Sequence, residues 1–359
     1  MSANIFDCSV FSGETRIARI APVVDALRQS CGQDGDMMTD LSWFVSRTVL
    51  WGNIPIVVLL KQHGVPVAAV LFYGRKVLGF PTGVIKGGNR SGDGVVIAPP
   101  DQRLPALHAA SKRMLAKPWI HTVLASVRSE SGQDAADAAR TGCSWQGRDI
   151  STHLSLEGGF EGLLSRIRPR SRRNYRYFRR RAERELGLVF VPSLQPDQAV
   201  QAVQDLHAVS MYPVPRPRAM RLEAAIRATP GSFAMGVRDP AAGWLSYVSG
   251  WRQPGATFVE WQLNHREHEA VSLSTVMRTC ILEHEAARGV PEIVFVGGTS
   301  PALGRYCAPA HCLDLLVARH GMSGFIVKQL LTRLRPQSQL GMILRGTLQQ
   351  LAAAEADEA

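Results

Sequence analysis

Residues 166–184 read RIRPRSRRNYRYFRRRAER and are the strongest structural signal in the chain. Ten of these nineteen residues are arginine, none is lysine, and Glu183 is the only acid. The segment therefore carries +9 of the chain's formal net charge of +11, and the remainder is close to neutral. Such a concentration of positive charge needs an anionic partner, which is a phosphate-bearing cofactor, a nucleic acid or carboxylates of the same chain.

The segment predicts an amphipathic helix over Ser171–Leu186, with Pro169 where a helix can begin and Gly187 where it ends. At about 100° per residue the helix separates an apolar stripe from a cationic face. The apolar stripe consists of Tyr175, Phe178, Ala182 and Leu186. The cationic face carries Arg172, Arg173, Arg176, Arg180 and Arg184.

A strand–helix–strand unit follows over residues 257–298. A strand at Thr257–Leu263 precedes a helix that Ser272 can cap and that ends at Gly289, and the next strand covers Glu292–Val296. The helix start has free backbone N–H groups and the positive end of its dipole, which suit a pyrophosphate. Because the chain has no P-loop and no dinucleotide-binding glycine motif, an ordinary crossover is the alternative.

The remaining patterns predict an α/β protein with mixed, largely antiparallel sheets and flanking helices. Strands are expected at Ile54–Leu60, Val65–Tyr73, Arg75–Phe80, Val95–Ala98, Trp119–Ser126, Ser151–Leu156, Leu188–Val191, Phe233–Val237, Trp244–Trp251 and Cys312–Ala318. Helices are expected at Leu104–Leu115, Asp134–Arg140, Gly159–Arg166, Pro196–Met211, Arg218–Arg227 and Gly324–Leu334. We divide the chain into domains at 1–157 and 158–345, with an acidic tail at 346–359 that we expect to be disordered.

The composition of the chain further limits the classes of protein to which it can belong. The length of 359 residues allows two domains, and 45% hydrophobic residues describe a globular protein. The six cysteines, Cys8, Cys31, Cys143, Cys280, Cys307 and Cys312, show no CxxC pair and no zinc spacing, so we expect reduced thiols in a cytoplasmic protein. No signal peptide, membrane-spanning run or metal-ligand cluster is predicted.

Residues 160–188, FEGLLSRIRPRSRRNYRYFRRRAERELGL, resemble the opening of the FemAB-like, BioF2-type acetyltransferase domain of the GNAT superfamily. That domain continues with helices, three antiparallel strands, a helix and a strand ending in a glycine turn, and residues 160–307 follow this order. AVSLSTVMRTCILEHEAARGVPEIVFVGGTS, residues 270–300, matches the last part. The resemblance implies GNAT-like domains in tandem. Two features depart from it: Ser272–Leu273–Ser274 replaces a frequent Ser-Pro-Gly, and Arg305–Tyr306 stands where many members have Tyr-Lys.

The resemblance implies an N-acyltransferase in which an amine attacks a thioester, most simply acyl-CoA, without a covalent enzyme intermediate. Glu260, or else His265 or His268, would take the amine proton, and Tyr306 would protonate the leaving group. A salt-bridged strand residue, a polar loop and a packed tyrosine are the respective alternatives. The donor would be bound by Leu263, Asn264, Ser272, Leu273, Ser274, Arg173 and Arg176. The acceptor, an amine on a small molecule, sugar or peptide, would be bound by Tyr175, Trp261, His268, Gly298 and Thr299.

Three interpretations of the arginines stay open at this point. They form a solvated face paired with acids such as Asp205 or Glu223, they grip the phosphates of CoA, or they bind RNA phosphates. Fem-type relatives take their acyl group from aminoacyl-tRNA, which gives the third interpretation a chemical motive. A non-catalytic nucleic-acid-binding module and a peripheral protein on anionic lipid are the hypotheses from other classes.

Overall fold

The computed structural model describes residues 6–77, 80–88, 94–129, 144–296, 299 and 301–318. Contacts divide the chain into two compact units: unit 1 comprises residues 1–149 and 310–359, and unit 2 comprises residues 150–309. The domain bounds drawn from the sequence, at 157/158 and 345, stay a prediction. The predicted helices Asp134–Arg140 and Gly324–Leu334 and the acidic tail 346–359 lie outside the described residues.

Unit 1 starts with four short elements that the sequence analysis did not identify: β1 (Asp7–Ser12), α1 (Glu14–Ala18), α2 (Ala21–Ser30) and α3 (Leu41–Leu50). Asp40 caps α3, because its carboxylate accepts a hydrogen bond of 2.8 Å from the N–H of Trp43. The elements that follow are β2 (Ile54–Gln62), β3 (Val65–Val77), β4 (Phe80–Gly87), β5 (Val96–Ile97), α4 (Arg103–Leu115) and β6 (Thr122–Ser129). The strand predicted over Arg75–Phe80 is thus the end of β3 and the first residue of β4.

The sheet of unit 1 has the strand order β1-β2-β3-β4-β6-β13, where β13 is Ala308–Ala318 and β5 pairs with β3. Among the described strand pairs of this sheet, β4–β6 is parallel and the others are antiparallel. The alternation of β2 gives each face its own core. Val58 packs with the α4 residues Leu107 and Met114, whereas Val57 packs with Val24 and Phe44 on α2 and α3.

Unit 2 begins within β7 (Ser144–Ser155) and continues with α5 (Gly159–Arg166), α6 (Pro169–Leu186), β8 (Val189–Val191), α7 (Pro196–Leu206), α8 (Arg216–Arg227), β9 (Ser232–Asp239), β10 (Gly243–Gln253), β11 (Ala256–Asn264), α9 (Leu273–Ala287), β12 (Glu292–Phe295) and α10 (Pro301–Gly304). Its strand order is β7-β12-β11-β10-β9-β8. β11 and β12 run parallel, and the other neighbours are antiparallel.

Helix α6 confirms the amphipathic pattern of its sequence. Ala182 is fully buried, and Tyr175, Phe178 and Leu186 pack on the core that α9 contributes to. The helix ends where Gly187 adopts a left-handed conformation, with φ of 57°. Helix α9 likewise buries an apolar face that includes Leu273, Val276, Met277, Cys280 and Ile281, and Gly289 follows its end with φ of 74°. Within the described residues, no helix combines the length and the apolar character that a membrane span requires.

A buried ion pair fastens α9 to the sheet of unit 2. Glu285 is fully buried and accepts hydrogen bonds from the Arg252 guanidinium, at 2.7 and 3.2 Å, and from the Thr257 hydroxyl, at 2.6 Å. Burial alone would raise the pKa of Glu285, but these hydrogen bonds and the charges of Arg252 and Arg288 outweigh it and lower the pKa. Unfolding therefore exposes a carboxylate that holds a proton more strongly than the folded protein does.

We expect Glu285→Ala to lower the free energy of unfolding by about 3 kcal/mol, because the Arg252 charge loses its partner. The stabilisation of the folded state by ionised Glu285 should be complete above about pH 5 and should be lost as the pH falls below that value, since the pKa of Glu285 is lower in the folded state. Urea denaturation at pH 7 and pH 4 measures both effects. Glu183→Ala, which removes an exposed partner of Arg179, is the control and should change stability by at most about 1 kcal/mol. Equal losses in the two variants would contradict this assignment.

Candidate active site

A bulge in β11 arranges the residues around Glu260. Ser249 of β10 pairs with Trp261 and Gly250 pairs with Val259, so Glu260 is an extra residue without a partner in the β10 register. The close approach needs Gly250, since a Cβ there would overlap the carbonyl oxygen of Phe258. Glu260 is half-buried at this point.

The bulge also breaks the simple alternation of side chains along β11. Simple alternation puts Val259 and Trp261 on the same face of β11. In the structure Val259 packs in the α9 core, whereas Trp261 packs against Tyr247 and Leu263 on the face covered by α7 and α8. The extra residue reverses the alternation, so Gln262 and Asn264 turn toward the start of α9.

β11 and β12 separate beyond the bulge. Their parallel register runs from Ala256 and Glu292 to Val259 and Phe295, and the N–H of Val296 still reaches the Val259 carbonyl at 2.9 Å. From residue 260 to residue 263, no described strand pairs with this edge of β11. The edge is therefore open beside the beginning of α9.

A polar network ties this open edge to α9. The Ser246 hydroxyl, fully buried, donates to the side-chain oxygen of Asn264 at 2.7 Å, and the Gln262 amide donates to the same oxygen at 3.0 Å. Gln262 also lies 3.5 Å from the Ser274 carbonyl oxygen. Asn264 is thereby held in one orientation, although neither Ser246 nor Gln262 stood out in the sequence. Hydroxyl and amide residues on strands are common, and only the bulge brings these two together.

The first turn of α9 leaves two amides available. Ser272 is the residue before the helix and has φ of 52° and ψ of 56°, a left-handed conformation that favours glycine. Its hydroxyl bonds the Thr275 hydroxyl at 2.8 Å and does not cap the helix. Its carbonyl accepts the N–H groups of Thr275 and Val276. The N–H groups of Leu273 and Ser274 have no acceptor among the described residues. The turn therefore still has two N–H groups available for a ligand, although Ser274 stands where the resembling domain often has glycine.

The segment between β11 and α9 forms a tight helical turn over Arg266–Val271 and carries both histidines. The rings of His265 and His268 lie 5.1 Å apart. Burial, followed by the charge of His268, lowers the pKa of His265 despite the opposing effect of Glu267. The N–H of Met211, between α7 and α8, donates to the Asn264 carbonyl at 3.2 Å. This places the exposed side chains of Met211 and Tyr212 at the end of β11.

Tyr306 lies next to the start of α6, and its charge affects the pKa of Tyr175. The Tyr306 oxygen accepts a hydrogen bond of 3.2 Å from the Arg168 N–H. Burial would raise the pKa of Tyr306, but the hydrogen bonds from Arg168 and Ser171 and the charges of Arg168 and Arg305 outweigh it and lower the pKa. Burial raises the pKa of Tyr175, which lies close enough to feel the charges of Arg278 and Tyr306. Arg278, one turn beyond Ser274 on α9, was not identified from the sequence.

Other predicted residues occupy different surroundings. Thr299 is half-buried near Cys307, and Gly298 lies outside the described residues. Burial raises the pKa of Cys307 and that of Cys280 to about 11, which disfavours a thiolate nucleophile at either. Cys312 is buried as well.

The arginines of α6 divide into a paired and an unpaired group. Arg176 bonds both carboxylate oxygens of Glu161, at 2.9 and 3.0 Å. The other ion pairs are Arg179 with Glu183 and Glu283, and Arg181 and Arg184 with Glu185. Arg170, Arg173 and Arg180 are exposed and have no acceptor among the described residues. All of these arginines except Arg170 lie within the predicted range Ser171–Leu186, and Arg170 lies in the first turn of the observed helix.

The predicted acid partners of these arginines were wrong. Asp205 accepts from Gln201 at 2.6 Å, and the buried Glu223 accepts the hydroxyl of Tyr247. Burial raises the pKa of Glu223 against the opposing effects of Tyr247 and Arg227. The acids that do bind α6 come from α5, from α9 and from α6 itself.

The cationic face of α6 forms a groove of about 520 Å³. Its lining residues are Pro169, Arg172, Arg173, Arg176, Tyr177, Arg180, Arg181 and Arg184. Neither Asn264 nor the first turn of α9 lines it, so Arg173 and Arg176 are grouped with each other and not with the remaining predicted donor residues. Arg181 links the groove to the segment before α9, because its guanidinium donates to the Ala270 carbonyl at 3.1 Å.

Comparison of the sequence finds no match to a family model or to a curated protein. Comparison of the structure finds similar solved structures. A tandem GNAT protein from the clavulanic acid biosynthesis pathway is 13% identical with a TM-score of 0.56, over 87% of this chain and 98% of the other. FemX is 11% identical with a TM-score of 0.59, over 86% and 98%. L-PGS from Bacillus licheniformis is 10% identical with a TM-score of 0.51, over 88% and 96%.

These likenesses span nearly the whole of each solved chain, and their low identity makes them a statement about fold. The fold of this chain combines mixed sheets with one parallel strand pair beside a helix among the described strands of each unit. The chain has the tandem GNAT fold that it shares with FemX, and the expected fold class is confirmed.

Proposed function

We propose that the chain is an N-acyltransferase that moves an acyl group from a thioester, acyl-CoA, to an amine on a small molecule, sugar or peptide. The observation that carries the proposal is the pair of unoccupied amides at Leu273 and Ser274, at the positive end of α9 and beside the open edge of β11. Such a helix start suits the pyrophosphate of CoA. The solved structure of the similar tandem GNAT protein is specified as the form without AcCoA, so AcCoA is the ligand named for that protein.

The site residues fit direct attack on a thioester. The acyl carbonyl would lie along the open edge near Leu263 and Asn264, where donors can stabilise the oxyanion as the amine attacks. Glu260 or His265 would take the proton that the amine loses. The C–S bond then breaks, and Tyr306 would give the leaving thiolate its proton, which its lowered pKa favours.

The acceptor is proposed to enter from the side of Met211 and Tyr212, with Trp261 and His268 nearby. Tyr175 would take part through its electrostatic interaction with Tyr306 and Arg278. Thr299 is proposed to close over the acceptor or the pantetheine arm. We propose a cytoplasmic location for this activity, because acyl-CoA is an intracellular donor.

Release of free thiol from a panel of acyl-CoAs, measured with amines of the three acceptor classes, tests the proposal. Calorimetry with CoA gives binding independently of turnover. We expect CoA to bind and at least one acyl-CoA to be turned over. If neither CoA nor any acyl-CoA binds, the proposal that acyl-CoA is the donor is wrong.

Ser274 offers a direct test of the amides at the start of α9. Ser274→Pro removes one N–H in the first helical turn, where proline is tolerated. We expect the Kd for CoA to rise at least tenfold, since a hydrogen bond to a charged group contributes about 1.5–3 kcal/mol. Ser274→Ala keeps the N–H and should leave the Kd within about twofold. An equal loss in both variants would assign the effect to the hydroxyl or to the fold.

Tyr306 can be tested by its titration. We expect the ¹³Cζ signal of Tyr306 to titrate at lower pH than those of Tyr73, Tyr175 and Tyr247, whose pKa values burial raises. The signal is assigned by its loss in Tyr306→Phe. Ser171→Ala should move the titration to higher pH, because one hydrogen bond to the phenolate is lost. If Tyr306→Phe also leaves the rate of thiol release and its pH profile unchanged, Tyr306 is not the acid.

The groove on α6 favours a second candidate, in which the acyl donor is an aminoacyl-tRNA or the chain is a non-catalytic RNA-binding module. Arg173 and Arg180 lie two turns apart, and their exposed guanidiniums lack acids. Tyr177, 51% exposed, lies between them and can stack on a base. Tyr175, the other tyrosine of this segment, packs on the core and is not available for stacking.

Anisotropy titrations with tRNA from 50 to 200 mM salt test this candidate. If RNA binds at α6, replacing both Arg173 and Arg180 with glutamine should weaken binding and reduce the slope of log K against log salt by about 0.7–0.9 per arginine. Arg221→Gln on α8, which is also exposed, is the matched control and should keep the slope. No binding at 50 mM salt removes the candidate, and it leaves the CoA proposal untouched.

A further inference from the structure

The β3–β4 hairpin of unit 1 projects beyond the sheet to which it belongs. β2 pairs with β3 up to Gly74, and β6 pairs with β4 from Val84 onward. Among the described strands, β3 and β4 pair beyond these points with each other alone, with Lys76 opposite Pro81. Residues 75–82 therefore belong to a two-stranded ribbon that lacks the neighbouring strands on which a stable sheet normally depends.

The ribbon and its base expose two large aromatic side chains. Phe80, which pairs with Val77, is 75% exposed. Trp119, 48% exposed, lies at the base, since a Cβ at Gly83 would come within 2.8 Å of its carbonyl oxygen. The N–H of His121, two residues later, donates to the Gly83 carbonyl at 2.9 Å. Single exposed apolar residues are ordinary on a protein surface, but two aromatic residues grouped at one end of a sheet indicate a contact surface.

The charge at this end of unit 1 is positive. The two segments that build it, residues 74–84 and 112–122, contain no aspartate or glutamate. Their cationic residues are Arg75, Lys76, Lys112, Arg113 and Lys117. Lys76 on the ribbon and Lys112 and Arg113 in the last turn of α4 are exposed. Glu14, which follows β1 at the same end of the sheet, leaves the balance of charge positive.

Exposed aromatic residues among cations match the surface of an anionic bilayer. A phenylalanine enters the boundary between headgroups and acyl chains, and a tryptophan suits this boundary because its ring is apolar and its N–H is polar. A lysine lays its apolar stem along such a surface and keeps its ammonium group at the headgroups. A nucleic-acid strand is instead followed by a groove, such as the one on α6, and is gripped best by the planar guanidinium of arginine. A projecting ribbon with lysines therefore favours lipid.

We propose that this end of unit 1 is a docking surface for an anionic membrane. Phe80 and Trp119 enter the lipid interface, and Lys76, Lys112 and Arg113 contact the anionic headgroups. The association is reversible, because it combines shallow insertion with electrostatic attraction that salt screens. The inference does not depend on acyl transfer, since no residue of the proposed donor site in unit 2 takes part.

Co-sedimentation of the full chain with phosphatidylcholine vesicles, with and without phosphatidylserine, tests the proposal. We expect binding when phosphatidylserine is present and weaker binding as the salt concentration rises. Phe80→Thr should lower the partition coefficient about tenfold, because the apolar side chain that enters the lipid is lost. Lys76→Gln should lower it about fivefold. Val65→Thr and Lys61→Gln, at the opposite end of β3 and β2, are the matched controls and should bind as the unchanged protein does; Val65 is 62% exposed.

Further variants separate this surface from the arginines of α6, which also attract anionic vesicles. In a chain with Arg173 and Arg180 replaced by glutamine, Phe80→Thr should still lower the partition coefficient about tenfold. Trp119→Gln should weaken binding as well, and it carries the test together with Lys76→Gln if thermal unfolding shows that Phe80→Thr does not fold.

Three results would overturn the proposal. The first is that the unchanged protein does not bind vesicles with phosphatidylserine. The second is that vesicle binding is lost with the two α6 arginines and is insensitive to Phe80→Thr, Trp119→Gln and Lys76→Gln. The third is that these three variants weaken tRNA binding in anisotropy titrations and leave vesicle binding unchanged, which would assign the surface to nucleic acid.

Discussion

The single extra residue in β11 is the constraint on which the candidate active site depends. Up to Val259 the strand is held between β10 and β12, and its side chains alternate as in any central strand. At Glu260 the register with β10 shifts, and the parallel pairing with β12 ends at the same point. One inserted residue therefore opens the edge, moves Trp261 to the α8 side and turns Gln262 and Asn264 toward α9. The bulge requires Gly250, because no side chain fits against the Phe258 carbonyl.

The electrostatics of α6 follow from where its acids lie. An isolated helix with this charge would repel itself, since arginines three and four residues apart share a side. Glu183 and Glu185 relieve this locally, and Glu161 and Glu283 do so from neighbouring helices. Exposed pairs of this kind contribute at most about 1 kcal/mol each, so the apolar stripe against α9 holds the helix in place. The unpaired arginines are then a surplus that packing does not need, which is why a ligand is the simplest reason for them.

Regular periodicity made most of unit 2 predictable from the sequence, and its absence explains the rest. The stripe through Phe178 and Ala182 and the apolar face of α9 are repeated patterns, so both helices and their C-terminal ends were correctly predicted, whereas the cap expected from the Ser272 side chain does not form. Of the elements before Ile54, β1 and α1 were missed because six and five residues are too few for a period to show. The acid partners of α6 were wrong because pairs between helices depend on crossing geometry, whereas the Arg179–Glu183 pair follows from spacing alone. The bulge breaks the alternation that a strand prediction assumes, so no pattern rule places Trp261 correctly.

The exposed cations of α6 and the half-buried Lys86 of unit 1 are screened differently, and the difference has a physical consequence. Unit 2 displays its cations on the outside of α6, where water and salt screen them within about 10 Å at moderate ionic strength. Unit 1 holds Lys86 half-buried, where water is partly excluded and screening is weaker. An anion on α6 would thus be bound by many weak electrostatic contacts, and these weaken as the salt concentration rises. Binding of this kind suits a long polyanion.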